Sequence, residues 1–127
     1  MGEQIKVVIG DRLGKGQKVA KGVEAAGGIP ILIPGVAADM KVGDFMKREN
    51  ADLGISFCGS GGAGALTAKT KYGYDCEFGL RSIEAGITAL QKGKRVLGFG
   101  FMDTEELGRR ITEAYIQLRK GEPNEDG

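Results

Sequence analysis

Apolar runs of strand length alternate with stretches of helical periodicity along this chain, and glycine or proline stands at most of the junctions. Gln4-Ile5-Lys6-Val7-Val8-Ile9-Gly10 is the first run, rich in the β-branched residues that suit a pleated surface. Between Gly14 and Gly28, Val19, Val23 and Ala26 share one helical face. Ile29 to Pro34 is a second apolar run, bounded by prolines that cannot continue a ladder. Met40, Val42, Phe45 and Met46 mark a short helix ending near Asn50, and Asp52 to Cys58 reads as the third strand. A glycine loop and the helix-forming Ala65-Leu66-Thr67-Ala68-Lys69 come next. The spacing of Leu80, Ile83, Ile87 and Leu90 predicts a helix over Glu77 to Lys92, with Gly93 as its C-cap. Arg95 to Phe101 reads as the fourth strand. Asp103 then caps a helix with Glu106 three residues on, its apolar stripe being Leu107, Ile111, Ala114, Tyr115 and Leu118.

Strands alternating with helices require right-handed crossovers, and these place helices on both faces of a parallel sheet. The chain is therefore expected to form one α/β, Rossmann-like, three-layer domain over residues 1–121, with about four parallel strands. The polar tail 122–127 is expected to fray. Ligands in such folds sit beyond the carboxyl ends of the strands. Asp11-Arg12, Pro34-Gly35, Cys58 to Gly64 and Met102-Asp103 would share that edge.

Composition narrows the function classes. A 127-residue chain that is 41% hydrophobic suits one core, and 18 Lys+Arg against 17 Asp+Glu give no electrostatic footprint for nucleic acid. No run of about twenty apolar residues is present, and Met1-Gly2-Glu3-Gln4 lacks the plan of a signal peptide, so a cytoplasmic protein is expected. The chain has no histidine, the commonest metal ligand and general base. Cys58 and Cys76, with seventeen residues between them, form no recognisable framework, so neither a metal nor a cofactor is expected. Glycine is overrepresented, at 23 residues, where about 7% is usual.

The glycines concentrate after the third strand, in Ser56-Phe57-Cys58-Gly59-Ser60-Gly61-Gly62-Ala63-Gly64-Ala65. Amide N–H groups in such a loop, at the positive end of a helix, suit a phosphate or a developing oxyanion. The same field lowers the pKa of a thiol. Gly59 to Gly64 formally matches G-x-G-x-x-G, but the dinucleotide fingerprint opens its fold and has an acidic residue ending the next strand. Cys58 reads as a general base, as a nucleophile such as a phosphocysteine carrier, or as a small buried hydrophobe. Ser60 would donate its hydroxyl to an anion or serve only as a turn residue. Asp11 and Arg12 at the end of the first strand are ligand candidates, as is Lys69 in the helix after the loop. Lys71 is a weaker candidate of the same kind. Cys76 reads as a passive residue at a helix entry.

Ser56 to Ser60, with Gly61 to Ala65 and Lys71-Tyr72-Gly73-Tyr74 after it, resembles the signature of the glycine-rich SFCGS family. That resemblance covers the chain and implies a metabolic setting of sugar-acid uptake and breakdown beside membrane transport proteins. A second, weaker resemblance concerns chemistry. Cys58-Gly59-Ser60-Gly61 between a strand and a helix is similar to the loop of type B ribose-5-phosphate and galactose-6-phosphate isomerases. It implies a dimeric Rossmann-like enzyme with Cys58 as the base and Ser60, Gly59, Gly61 and Gly62 as the oxyanion cradle. Asp11-Arg12 falls where that family has Asp-His. Ala63 replaces a glycine, Lys69 replaces an asparagine, and the family's histidines have no counterpart here.

Together these readings give a catalytic Cys58 with Ser60, and a ligand site of Asp11, Arg12, Gly59, Gly61, Gly62, Gly64 and Lys69. The expected ligand is a small phosphorylated or acidic sugar, and the expected assembly a homodimer. The alternative is a non-enzymatic accessory or regulatory subunit of a sugar uptake system, in contact with membrane transport proteins.

Overall fold

A computed structural model describes residues 4–121, so the expectation for the tail 122–127 lies outside the described residues. Five strands make a single parallel sheet: β1 (Lys6–Asp11), β2 (Ile29–Leu32), β3 (Leu53–Phe57), β4 (Cys76–Leu80) and β5 (Val96–Phe99). Their order is β2-β1-β3-β5-β4. β3 lies in the middle, every one of its residues buried, and Phe57 pairs with Asp11 on one side and Phe99 on the other. The carboxyl ends of β1, β3 and β5 are thus aligned, and whatever follows each of them is gathered at one edge.

The helices are α1 (Gln17–Ala25), α2 (Val42–Glu49), α3 (Ala63–Tyr72), α4 (Ile83–Gln91) and α5 (Glu105–Lys120), with a short 3-10 turn at Ala38–Lys41. α1, α4 and α5 cover one face, where Val19, Val23, Leu90, Leu107 and Ile111 close over Val7, Ile55, Leu97 and Phe99. α2, α3 and the 3-10 turn cover the other, packing Val42, Met46, Ala65 and Ala68 over Val8 and Val96. The two apolar layers account for the three-layer α/β arrangement that the alternating pattern implied. None of the described helices is long and apolar enough to cross a membrane.

The fifth strand is a correction. Periodicity assigned residues 77–80 to a helix, but Cys76 and Glu77 pair with Val96 and Leu97 as an edge strand. Asp75 supplies the reason: its carbonyl accepts the N–H groups of Arg95 (2.8 Å) and Val96 (3.1 Å), fixing the register before β4 begins. Helix α4 starts only at Ile83, because the Ser82 hydroxyl accepts the N–H of Ala85 at 3.1 Å and ends the extended segment. Cys76 therefore enters a strand rather than a helix. A second correction concerns the last helix. Thr104, not Asp103, is its N-cap, accepting the N–H of Leu107 at 3.1 Å. Asp103 stands one residue before the cap and is half-buried.

The loop after β3 is locked by backbone contact. Gly61 (φ 97°) and Gly62 (φ 91°) occupy the left-handed region that other residues rarely adopt. A Cβ on Gly61 would stand 2.8 Å from Gly79 Cα, and one on Gly62 would collide with Gly98 of β5. Gly79 also donates its N–H to the Gly61 carbonyl, tying the loop to β4. Gly59 differs, since a Cβ there meets only the Phe101 ring, at 3.6 Å. Gly62→Ala is therefore expected to destabilise the fold by at least about 2 kcal/mol, from left-handed strain plus overpacking. Gly59→Ala should stay within about 0.5 kcal/mol of wild type. Denaturant unfolding of both variants checks this, and equal stabilities would contradict the packing described.

Candidate functional site

Cys58 follows β3 directly and is 1% exposed. Its sulfur accepts the N–H groups of Gly62 at 3.1 Å and Ala63 at 3.2 Å, both at the first turn of α3, and lies 3.1 Å from Ser60 Oγ. Burial is the largest single influence on the thiol and works to raise its pKa. The hydrogen bonds from the Ser60 hydroxyl and from the amides of Ala63, Gly62 and Ser60 together outweigh it, so the net shift is downward. The positive end of the α3 dipole acts in the same direction. Cys76 shows the opposite outcome: burial pushes its thiol up. Of the cradle expected from sequence, the Gly62 amide and the Ser60 hydroxyl meet the sulfur itself, while the Gly61 amide donates to the Cys58 carbonyl at 3.1 Å.

Around the loop, the sheet edge carries a set of aspartates. Asp11, 1% exposed, ends β1. Its Oδ1 accepts the N–H groups of Leu13 (2.7 Å) and Lys15 (3.3 Å), and no protein donor reaches its buried Oδ2. Asp103, released from capping, has the Asp11 carboxyl as a charged neighbour. Burial and then this neighbour raise the pKa of Asp103, with Lys15 opposing weakly. Asp39, in the 3-10 turn, is fully buried beneath the loop, and its backbone packs on Gly64. Burial raises its pKa against the pull of Arg12, whose Nε stands 3.7 Å from Asp39 Oδ2. The Arg12 side chain is about half exposed.

Of the residues expected from sequence, Asp11, Arg12, Cys58 and Ser60 are gathered at this edge with the glycines of the loop. Gly61, Gly62 and Gly64 owe their identity to close backbone packing, while Gly59 is exposed. Lys69 is an exposed residue of α3. It lies about 9 Å along α3 from the loop, and its charge acts on Cys76 at the amino end of β4. Lys71 is taken by Asp44 of α2, at 2.8 Å, alongside the Tyr72 hydroxyl. Asp39, Asp103, Lys15 and Phe101 were not singled out from sequence. Met102-Asp103 was placed at the edge, with Asp103 assigned to a helix cap. Among the described residues, no group of three or more His, Cys, Asp and Glu side chains could hold a metal ion. A surface groove of about 270 Å³ lies elsewhere, at the amino end of the sheet, between α4 and α5. There Arg95 and Arg119 flank the Tyr115 ring.

The family model described as Glycine-rich SFCGS matches residues 5–118, and the chain belongs to that family. A comparison with curated proteins found no match. Among solved structures, the type B ribose-5-phosphate isomerase of Trypanosoma brucei superposes with a TM-score of 0.68 at 22% identity, over 91% of this chain and 87% of that one. Ribose-5-phosphate isomerase B of Giardia lamblia gives 0.66 at 18% identity, over 88% and 94%. The type B enzyme of Trypanosoma cruzi gives 0.66 at 17%, over 91% and 84%. At these identities the likeness is one of fold, and it agrees with the resemblance carried by the Cys58 loop.

The thiol geometry has a spectroscopic consequence. In a pH titration, ultraviolet thiolate absorbance should develop in two steps, one below the ordinary value of 9.0 for Cys58 and one above it for Cys76. Cys58→Ser should remove the lower step, and Ser60→Ala should move it upward. A lower step that survives in Cys58→Ser would contradict the assignment.

Proposed function

We propose that this member of the glycine-rich SFCGS family binds a small phosphorylated or acidic sugar over the Cys58–Gly64 loop. There it moves a proton between adjacent carbons, with Cys58 as the base. The observation that carries this reading is the ring of donors on the Cys58 sulfur, which favours a thiolate in a chain without histidine. The isomerase-like fold supports the substrate class.

In this mechanism the thiolate removes the proton from the carbon beside the substrate carbonyl, leaving an enediolate. Protonation of the sulfur weakens its hold on the Gly62 and Ala63 amides, which then turn to the new oxyanion together with the Ser60 hydroxyl. The hydroxyl proton of the carbon that lost its hydrogen passes to the neighbouring oxyanion and the thiol returns its proton to the neighbouring carbon, completing an aldose–ketose exchange with no net change in the protein. Arg12, half exposed beside Asp39, holds the anionic end of the sugar in the place where a histidine is missing. The protein acts in the cytoplasm as a homodimer.

One observation favours the accessory-subunit reading. Leu13, Val36, Met40, Leu66 and Phe101 are exposed, and all follow the carboxyl ends of strands, so they ring the site with apolar surface. A second copy would cover that rim in the enzyme reading, and a membrane transport protein would cover it in the other.

A thermal-shift screen against sugar phosphates, sugar acids and nucleotides separates the two. A ligand at a hundred times its Kd stabilises the fold by about 2.7 kcal/mol, a shift of several degrees for a domain of this size. A sugar phosphate or sugar acid is expected to give that shift, and Cys58→Ser should keep the binding while losing turnover. No shift from any sugar compound would contradict the enzyme reading and turn attention to capture of transport proteins on the apolar rim.

A further inference from the structure

The groove between α4 and α5 gathers positive charge that the fold does not balance. Lys94, Arg95 and Arg119 line it with Tyr115, Leu90 and Leu118, and none of its lining residues is an acid. Both arginines are anchored by Asp52, the residue before β3. Arg95 Nε donates to the Asp52 carbonyl at 2.8 Å, and Arg119 Nη1 to the carboxylate Oδ1 at 3.2 Å. The other carboxylate oxygen accepts the Lys6 N–H at 2.8 Å, so Asp52 is fully committed. Tyr115, 6% exposed, is the floor that both guanidinium groups share, at 5.4 and 5.7 Å from its ring centre. Its hydroxyl accepts from Arg119 Nη1 at 3.4 Å.

Two guanidinium groups held over one ring repel each other, and fixing them costs side-chain entropy. Asp52 offsets one of the three positive charges lining the groove, and two remain. Each arginine uses only one edge for its anchor. Among the described residues, no acceptor meets the terminal nitrogens of Arg95 or Nη2 of Arg119. These planar donors are thus held ready for the oxygens of an anion. The volume, about 270 Å³, lies just below the roughly 300–1,000 Å³ of ordinary small-molecule pockets, so the occupant is compact.

We propose that this groove is a second ligand site, which takes a small phosphorylated compound. Its phosphoryl group lies among Arg95, Arg119 and Lys94, and its short carbon body lies against Leu90, Leu118 and the Tyr115 ring. A phosphoryl group brings close to two negative charges at neutral pH and three acceptor oxygens, which match the two unbalanced charges and the paired donors. The site is separate from the thiol, because Asp52 and Cys58 stand at opposite ends of β3, about 20 Å apart. It holds whether or not the Cys58 loop binds a sugar.

NMR titration of the isotope-labelled protein with glycerol phosphate, at constant ionic strength, tests the site. Saturable shifts are expected at the Gly93, Lys94 and Arg95 amides and at the Arg119 side chain. The Gly61, Gly62 and Ala63 amides report the Cys58 loop in the same spectra, so the two sites are read separately. Arg95→Gln and Arg119→Gln should each weaken binding in the groove by about ten-fold or more, the loss of a charge-assisted hydrogen bond. Arg95→Lys keeps the charge and loses the fork, so it should weaken binding as well, and it decides the matter if a glutamine variant does not fold. No saturable shift at residues 93–95, or an affinity unchanged by these substitutions, overturns the proposal. Succinate carries a similar charge without a phosphoryl group and should bind more weakly by about ten-fold; equal affinity overturns the ligand class. Inorganic phosphate should also bind more weakly, and equal affinity overturns the part given to the apolar wall.

Discussion

Gly62 meets Gly98 of β5 so closely that neither position has room for a methyl group, and the chemistry of the thiol follows from that contact. Because the loop is pressed onto β5 and β4, the first turn of α3 starts directly beside the end of β3. The amides of Gly62 and Ala63 then point at the Cys58 sulfur rather than at solvent. A side chain at Gly61, Gly62 or Gly98 would lift the loop, withdraw those donors and let burial dominate the thiol, as it does at Cys76. The glycines thus act on the chemistry by setting distance more than by touching a ligand.

Electrostatics at the edge follow from the parallel sheet. Alignment of β1, β3 and β5 brings Asp11, Cys58 and the segment reaching Asp103 to one side, with Asp39 below. Three acids are held close, and Arg12 is the cation paired with one of them at 3.7 Å. Burial raises Asp39 and Asp103 while hydrogen bonds lower Cys58. Groups of opposite tendency thus meet at a single edge.

Much of this was legible in the residues. β-branched runs such as Val7-Val8-Ile9, alternating with apolar helical faces, carried the three-layer α/β class, and the glycine cluster after Phe57 carried the thiol. What escaped notice has physical causes. β4 is a largely uncovered edge strand whose burial does not alternate and whose Leu80 also fits the stripe of the following helix, so periodicity alone placed 77–80 in the wrong element. Asp103 and Thr104 are both good N-caps, and only the structure shows that Thr104 takes the position. Asp39 lies in a 3-10 turn with no periodic signature, and its burial comes from α3 packing over it through Gly64.

Proton transfer by Cys58 on a bound sugar is the central claim, and exchange with deuterated water measures it most directly. A sugar phosphate or sugar acid that stabilises the protein is incubated with it in deuterated water, and deuterium at the carbon beside the carbonyl is followed by NMR. The account expects deuterium to enter at that carbon with wild type and not with Cys58→Ser. A ligand that binds but gains no deuterium from wild type, or gains it equally from Cys58→Ser, would contradict it.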